Sequence, residues 1–153
     1  MGRDVPSITV SQQDRRAYRE KVRQCLDVFA RMLRESRFET EPRQVGLEIE
    51  LNLVDGDGRP TMTNTAALAA IGDPSFATEL GRFNLEINVP PRQLAGEALS
   101  ALERDVSAKL AHAAARTLRS GSRLVMVGIL PTLRPGDVTD DAMSANPRYR
   151  LLN

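Results

Sequence analysis

Two stretches of the chain alternate strictly between apolar side chains and acids or amides, and this pattern constrains the fold more than any other feature. In "GLEIELNLV", residues 46–54, Leu47, Ile49, Leu51 and Leu53 fall on one side, with Glu48, Glu50 and Asn52 on the other. In "ELGRFNLEINVPP", residues 79–91, Phe83, Leu85, Ile87 and Val89 oppose Asn84, Glu86 and Asn88. A period of two describes a strand with one face in a core. The polar faces are unusual, because Asn and Glu are poor strand formers and a solvated face uses Thr, Lys or Arg more freely.

Carboxylates are the main chemical resource of this chain. His112, on an alanine-rich helical stretch, is its one histidine, and Cys25 its one cysteine. His-based triads, His-rich metal sites, an intramolecular disulfide and multi-Cys zinc sites are thereby excluded. Cys25 falls on the apolar stripe of a helical repeat and reads as a core thiol. The 21 basic and 20 acidic residues are interleaved, which excludes an electrostatic footprint for nucleic acid. With four Phe, two Tyr and no Trp there is no base-stacking platform either. The longest apolar run, "LVMVGIL", is too short to span a bilayer, and the N-terminus carries no apolar leader, so a cytoplasmic chain without membrane contact is expected.

At 153 residues the chain has the length of one domain. Residues 1–10 read as an arm, and Ser11 as the N-cap of a helix to about Phe38, with Val22, Cys25, Leu26, Phe29, Met32 and Leu33 buried. The first alternating strand runs into "DGDG", a hairpin turn without the spaced acids of a calcium loop. Residues 63–71 suit a short helix closed by Gly72. The second alternating strand ends at Pro90 and Pro91, and residues 96–119 form a long helix with Leu99, Leu102, Val106, Leu110 and Ala113 inward. "RLVMVGIL" is apolar on both faces and is expected to be a central strand.

Glu48 and Glu50 emerge on the same side of their strand about 7 Å apart. If the strand of Glu86 lies alongside, three carboxylates share a small surface. Like charges 4 Å apart repel by about 1 kcal/mol in water and several-fold more at lower effective dielectric. A hard divalent cation turns that cost into a gain, since Mg²⁺ takes carboxylate and phosphate oxygens together. Glu79 has the wrong parity to join Glu86 unless Gly81 marks a bulge that shifts the facing by one residue. The competing reading is a plain solvated sheet face, or one partly neutralised by Arg82.

In order and spacing, "GLEIELNLV", "ELGRFNLEINVPP", the long helix, "VMVGILPTL" and "NPRYRLLN" resemble the N-terminal part of the glutamate–cysteine ligase family, more closely its bacterial branch that also holds carboxylate–amine ligases. The resemblance runs from about Gly46 onward. It implies an α+β fold, an antiparallel sheet curled into a cup with helices outside, as in glutamine synthetase-like enzymes, and incomplete within these residues. Residues 1–153 would be the N-terminal portion of a single catalytic domain, with 1–45 as arm and first helix.

In that family a Gly-x-Glu-x-Glu strand and a later acid-x₆-Glu segment hold the Mg²⁺ ions of ATP. Position by position, the resemblance assigns Glu48 and Glu50 to the first motif and Glu79 and Glu86 to the second. Arg148 and Tyr149 match an Arg-Tyr pair and, with Asn88, are candidate substrate contacts; the pair alternatively caps a local helix. The implied reaction is ATP-dependent joining of the glutamate γ-carboxylate to the cysteine amine through an acyl phosphate, feeding glutathione or another small thiol. The implied partners are glutamate, cysteine and ATP, and no catalytic side chain is assigned. Ile129, Leu130 and Pro131 stand where relatives carry Thr-His-Pro, so a role tied to that His is absent. Alternatives are a ligase for a different acid–amine pair, or a non-catalytic interaction module. The expectation for these residues in isolation is an inactive fragment that self-associates through an open sheet edge.

Overall fold

A computed structural model describes residues 11–146 and Tyr149. Contacts divide the chain into two compact units, residues 44–145 and residues 1–43 with 146–153. The first of these carries every strand among the described residues: β1 (Gln44–Val54), β2 (Phe76–Thr78), β3 (Asn84–Gln93) and β4 (Arg123–Val125). They form an antiparallel sheet in the order β2-β3-β1-β4.

The central pair decides which residues meet. β1 and β3 are registered Ile49 to Ile87, Leu51 to Leu85 and Leu47 to Val89, so the two apolar sets share one face. Helix α2 (Asn64–Ile71) and helix α3 (Ala98–Arg119) supply Ala67, Ile71, Leu102 and Ala113 to the same core. Leu51, Leu53, Leu85 and Ile87 are almost wholly buried. Each such side chain contributes roughly 1.5–3 kcal/mol on burial, and a slip of one residue would expose the whole set. That cost pins the register.

The turns follow their sequences. "DGDG" reverses the chain between Val54 and Pro60, with the Asp55 carboxylate accepting from the N–H groups of Asp57 and Arg59, both at 2.9 Å. Gly72 ends α2 in the left-handed region at φ 64°, a conformation glycine adopts without a Cβ clash. His112 reaches from α3 to the Ile71 carbonyl at 2.9 Å, a packing role.

Several expectations are corrected. β3 does not stop at Pro90 but continues to Gln93, through a register shift that sets Pro90 and Pro91 opposite Gly46. Proline lacks the ladder donor, and a bulge is where a strand tolerates it. "RLVMVGIL" yields the three-residue edge strand β4, and Met126 and Ile129 beyond it are exposed. Leu99, on the first turn of α3, is also exposed.

In the other unit, α1 (Gln12–Arg34) starts at a reciprocal capping box. The Asp14 N–H donates to Ser11 Oγ at 3.1 Å, and the Ser11 N–H to the Asp14 carboxylate at 2.9 Å. The helix stops at Arg34, short of Phe38, where Ser36 takes a positive φ of 51°. Its apolar stripe is not buried: Val22, Leu26, Phe29 and Leu33 are exposed, and so is Cys25. Within its unit the described packing partner is Phe38, whose ring meets that of Phe29 edge-on with centroids 6.0 Å apart.

One ion pair ties α3 to the connection before β2. Lys109 Nζ donates to the Asp73 carboxylate at 3.1 Å and to Ser75 Oγ at 2.8 Å, and the Ser75 N–H donates to Asp73 at 2.8 Å. The Ser75 hydrogen bonds, and then Lys109, lower the Asp73 carboxyl from its ordinary 3.8 to about 2. A depressed carboxylate stabilises the fold above its unfolded value and loses that contribution as pH falls through the folded one. Asp73→Asn should therefore cost about 1–2 kcal/mol near neutral pH, after allowance for partial exposure. In denaturant unfolding series, the gap between variant and parent should narrow as pH falls from about 4 towards about 2.

Candidate active site

The face of the sheet turned away from α2 and α3 carries the acids and amides. Glu48 pairs with Asn88, Glu50 with Glu86, and Asn52 with Asn84. Directly opposed residues in an antiparallel pair lie about 4.5–5.5 Å apart, and like charges so placed destabilise a sheet. The amides are tied into the floor of this face. Asn84 Nδ2 donates to Asn52 Oδ1 at 3.0 Å, and Asn52 Nδ2 donates to the Val127 carbonyl at 3.1 Å. Asn88 Nδ2 donates to Glu86 Oε1 and holds that carboxylate in place. The Val127 link draws the segment after β4 beside β1. Glu48, Ile49, Glu50, Met126, Val127 and Gly128 line an open groove of ≈ 360 Å³ there, at the small end of ligand pockets.

Glu79 reaches the same face by a route other than the expected bulge at Gly81. Residues 76–93 form a hairpin in which Ala77 pairs with Glu86 and Thr78 with Leu85. Ala77 thus lies on the side of Glu86, and Glu79, two residues on, follows it. The chain then turns, closed by the Asn84 N–H donating to the Gly81 carbonyl at 2.8 Å. A Cβ at Gly81 would stand 2.5 Å from Asn84 Oδ1 and 3.0 Å from the Phe83 ring, so any larger residue requires those two side chains to shift. Gly81 serves close approach in a turn.

The electrostatics of Glu79 follow from these neighbours. Burial raises the Glu79 carboxyl above the ordinary glutamate range, against a lowering hydrogen bond from the Leu80 N–H. A hydrogen-bonding contact with Glu86, and the charges of Glu86 and Glu50, push it further in the same upward direction. Arg82 does not compensate them. Its guanidinium donates to the backbone carbonyls of Asp141 at 3.1 Å and Met62 at 3.4 Å. Among the described residues, Glu48, Glu50, Glu79 and Glu86 take part in no ion pair.

This donor set fits a hard cation shared with a ligand. All four groups are carboxylates, the ligands Mg²⁺ prefers. No three or more His, Cys, Asp or Glu side chains among the described residues form a ready-made cage. Mg²⁺ is typically held by one or two carboxylates together with waters and phosphates, so an open carboxylate face suits it better than a cage would. Of the expected substrate contacts, Asn88 lies on this face. Tyr149 is buried, with its N–H donating to the Asn146 carbonyl at 3.0 Å, and Arg148 lies outside the described residues.

A family model for glutamate–cysteine ligase family 2 matches residues 44–153. The chain belongs to that family. No curated protein and no solved structure matches it. The match to glutamate–cysteine ligase family 2 opens at Gln44, the first residue of β1, and spans the whole carboxylate face. Membership implies ligase chemistry of that family's kind. No helix among the described residues is long and apolar enough to cross a membrane.

Two residues that the sequence pattern did not single out, Asn64 and Ser144, are buried beside the turn that follows Glu79. Asn64 opens α2 and Ser144 follows a short 3-10 turn, positions that no apolar periodicity marks. The carboxylate face itself leads to a stability prediction. Glu86 stands opposite Glu50 and in contact with Glu79, so Glu86→Gln relieves two repulsions while its amide oxygen still accepts from Asn88. Without divalent cations, thermal or urea unfolding should show the variant more stable than the parent by up to about 1 kcal/mol.

Proposed function

We propose that this chain is the N-terminal part of a ligase domain that uses Mg²⁺ and ATP in the cytoplasm to join the glutamate γ-carboxylate to the cysteine amine. The observation that carries the reading is the pairing of Glu50 with Glu86, with Glu79 against them and no cation of the described residues in reach. A folded chain keeps three mutually repelling carboxylates together when a positively charged ligand completes the set. In the proposed reaction the γ-phosphoryl group passes from ATP to the glutamate γ-carboxylate and releases ADP. The amine then attacks the acyl carbon, loses a proton, and phosphate leaves.

Glu48, Glu50, Glu79 and Glu86 would share the Mg²⁺ ions, one or two carboxylates to each, and bound Mg²⁺ would supply charge neutralisation and an anchor for the phosphates. Asn88 fixes the Glu86 carboxylate by its amide hydrogen bond, so Glu86 presents one set direction to its ligand. The open groove beside Glu48 and Glu50 leaves room for phosphate oxygens and waters. Chemistry of this kind rests on positioning and charge stabilisation, so a face without a His or Cys nucleophile is adequate to it.

One observation favours a second acid–amine pair as the runner-up. Where relatives carry a histidine, this chain has Leu130, which is buried and so contributes packing. The test is ADP release by the intact protein with Mg²⁺-ATP, glutamate and cysteine, then with other amines in place of cysteine. Glu86→Gln should lower turnover by about 100-fold or more, as loss of one charge-stabilising group does elsewhere, and leave the circular dichroism spectrum unchanged. Turnover with a different amine would select the runner-up. An intact protein without ADP release on any pair, or a Glu86→Gln variant as active as the parent, refutes the ligase reading and leaves an interaction module.

A further inference from the structure

We propose that Asn64 and Ser144 are positioning residues that hold Glu79 on the carboxylate face; the proposal rests on the reading of that face as a cation site. β2 ends at Thr78, so Glu79 lies in the connection to β3, where the sheet ladder no longer fixes it. Its backbone is gripped from outside the hairpin. Ser144 Oγ donates to the Glu79 carbonyl, and the Ser144 N–H donates to the next carbonyl, that of Leu80, at 2.8 Å. A hydroxyl that donates to one partner has its lone pairs free for another. Asn64 Nδ2 donates to Ser144 Oγ at 2.7 Å.

The same amide reaches the far end of the turn. Asn64 Nδ2 also faces the carbonyls of Gly81 at 3.2 Å and Asn84 at 3.4 Å, and the Asn64 N–H donates to the Arg82 carbonyl at 3.0 Å. One amide and one hydroxyl therefore hold both ends of the segment from Glu79 to Asn84. Asn64 is 2% exposed and Ser144 3% exposed. Buried and fully partnered, such a network is rigid, and hydrogen bonds in it are stronger than in water. Neither residue is among those lining the groove, so each acts through the backbone of Glu79.

The grip has a force to resist. Glu79 is partly desolvated and repelled by Glu86 and Glu50, and a loosely held connection would let its carboxylate swing out to water. Held where it is, the carboxylate stays beside Glu86 and its binding geometry is set before any ligand arrives.

The test is a double-mutant cycle on the intact protein with Mn²⁺ alone as the probe, its affinity read by electron paramagnetic resonance. Four forms are compared: parent, Ser144→Ala, Glu79→Gln and the double variant, with Glu86→Gln as the control for the face itself. Ser144→Ala should weaken Mn²⁺ binding by about 10-fold in the parent, as loss of a supporting contact does at other metal sites. In the Glu79→Gln background it should weaken binding by less than about twofold, because Ser144 acts through Glu79. An equal loss in both backgrounds, or no loss in either while Glu86→Gln weakens binding, overturns the positioning role and leaves the cation site standing. If the parent does not bind Mn²⁺, or Glu86→Gln binds it as the parent does, the cation-site reading falls and the proposal with it. Should Ser144→Ala unfold, Asn64→Ser replaces it in the same cycle, with the same results supporting or overturning.

Discussion

The pairing of β1 with β3 is the constraint on which the rest depends. In this register Ile49 meets Ile87 and Glu50 meets Glu86, so between Leu47 and Leu53 and between Asn84 and Val89 the odd residues face the helices and Glu48, Glu50, Asn52, Asn84, Glu86 and Asn88 face away. The apolar half of that arrangement supplies the free energy. Four nearly fully buried Leu and Ile side chains contribute roughly 1.5–3 kcal/mol each, and every one would be lost by a one-residue slip. In the polar half the register gives the Asn84–Asn52 hydrogen bond but sets Glu50 against Glu86. That half is carried into place by the core behind it, which is how a fold can hold repelling carboxylates at short range.

Around that pair the secondary contacts divide the labour. Lys109 with Asp73, and His112 with the Ile71 carbonyl, fasten α3 to the α2–β2 connection on the side away from the acids. The amide ladder from Asn84 through Asn52 to Val127 crosses the polar face and brings the Met126–Gly128 segment to the groove. Asn64 and Ser144 fasten the turn after Glu79. The side chains of these fastenings bond to one another or to backbone, and none occupies the groove.

Much of this was legible in the sequence, and the reasons the remainder was not are specific. Period-two alternation is a local signal, so the faces of β1 and β3, the turn at Asp55–Gly58 and the helix ends at Ser11 and Gly72 follow from neighbouring residues alone. Bringing Glu79 beside Glu86 was also legible, but its route was not. A bulge and a hairpin both change facing by one residue, and Gly81 is compatible with either. The choice lies with Phe76 and Ala77, which pair with β3 across the turn. "RLVMVGIL" misled because apolar residues on both faces describe a central strand and also an edge strand whose ladder stops early, as happens after Val125. The stripe of α1 is amphipathic in sequence, yet apolar periodicity says which face is to be covered and not what covers it.

The energetic asymmetry between the two faces limits what the carboxylates can be for. Repulsion between like charges about 4 Å apart costs about 1 kcal/mol in water and about 4 kcal/mol at an effective dielectric constant near 20. Glu48 and Glu50 are exposed, so their share lies near the lower figure, while the partly buried Glu79 and Glu86 lie above it. The sum is small beside the core and large beside the net stability of a domain, which is about 5–15 kcal/mol. Arg82 is near enough in sequence to have relieved it, yet its guanidinium is committed to the carbonyls of Asp141 and Met62. Asn88 relieves Glu86 by one hydrogen bond from a neutral amide and brings no charge. Among the described residues the fold therefore carries an unneutralised cost at a site it holds rigidly from behind, the arrangement in which binding a cation returns the most free energy.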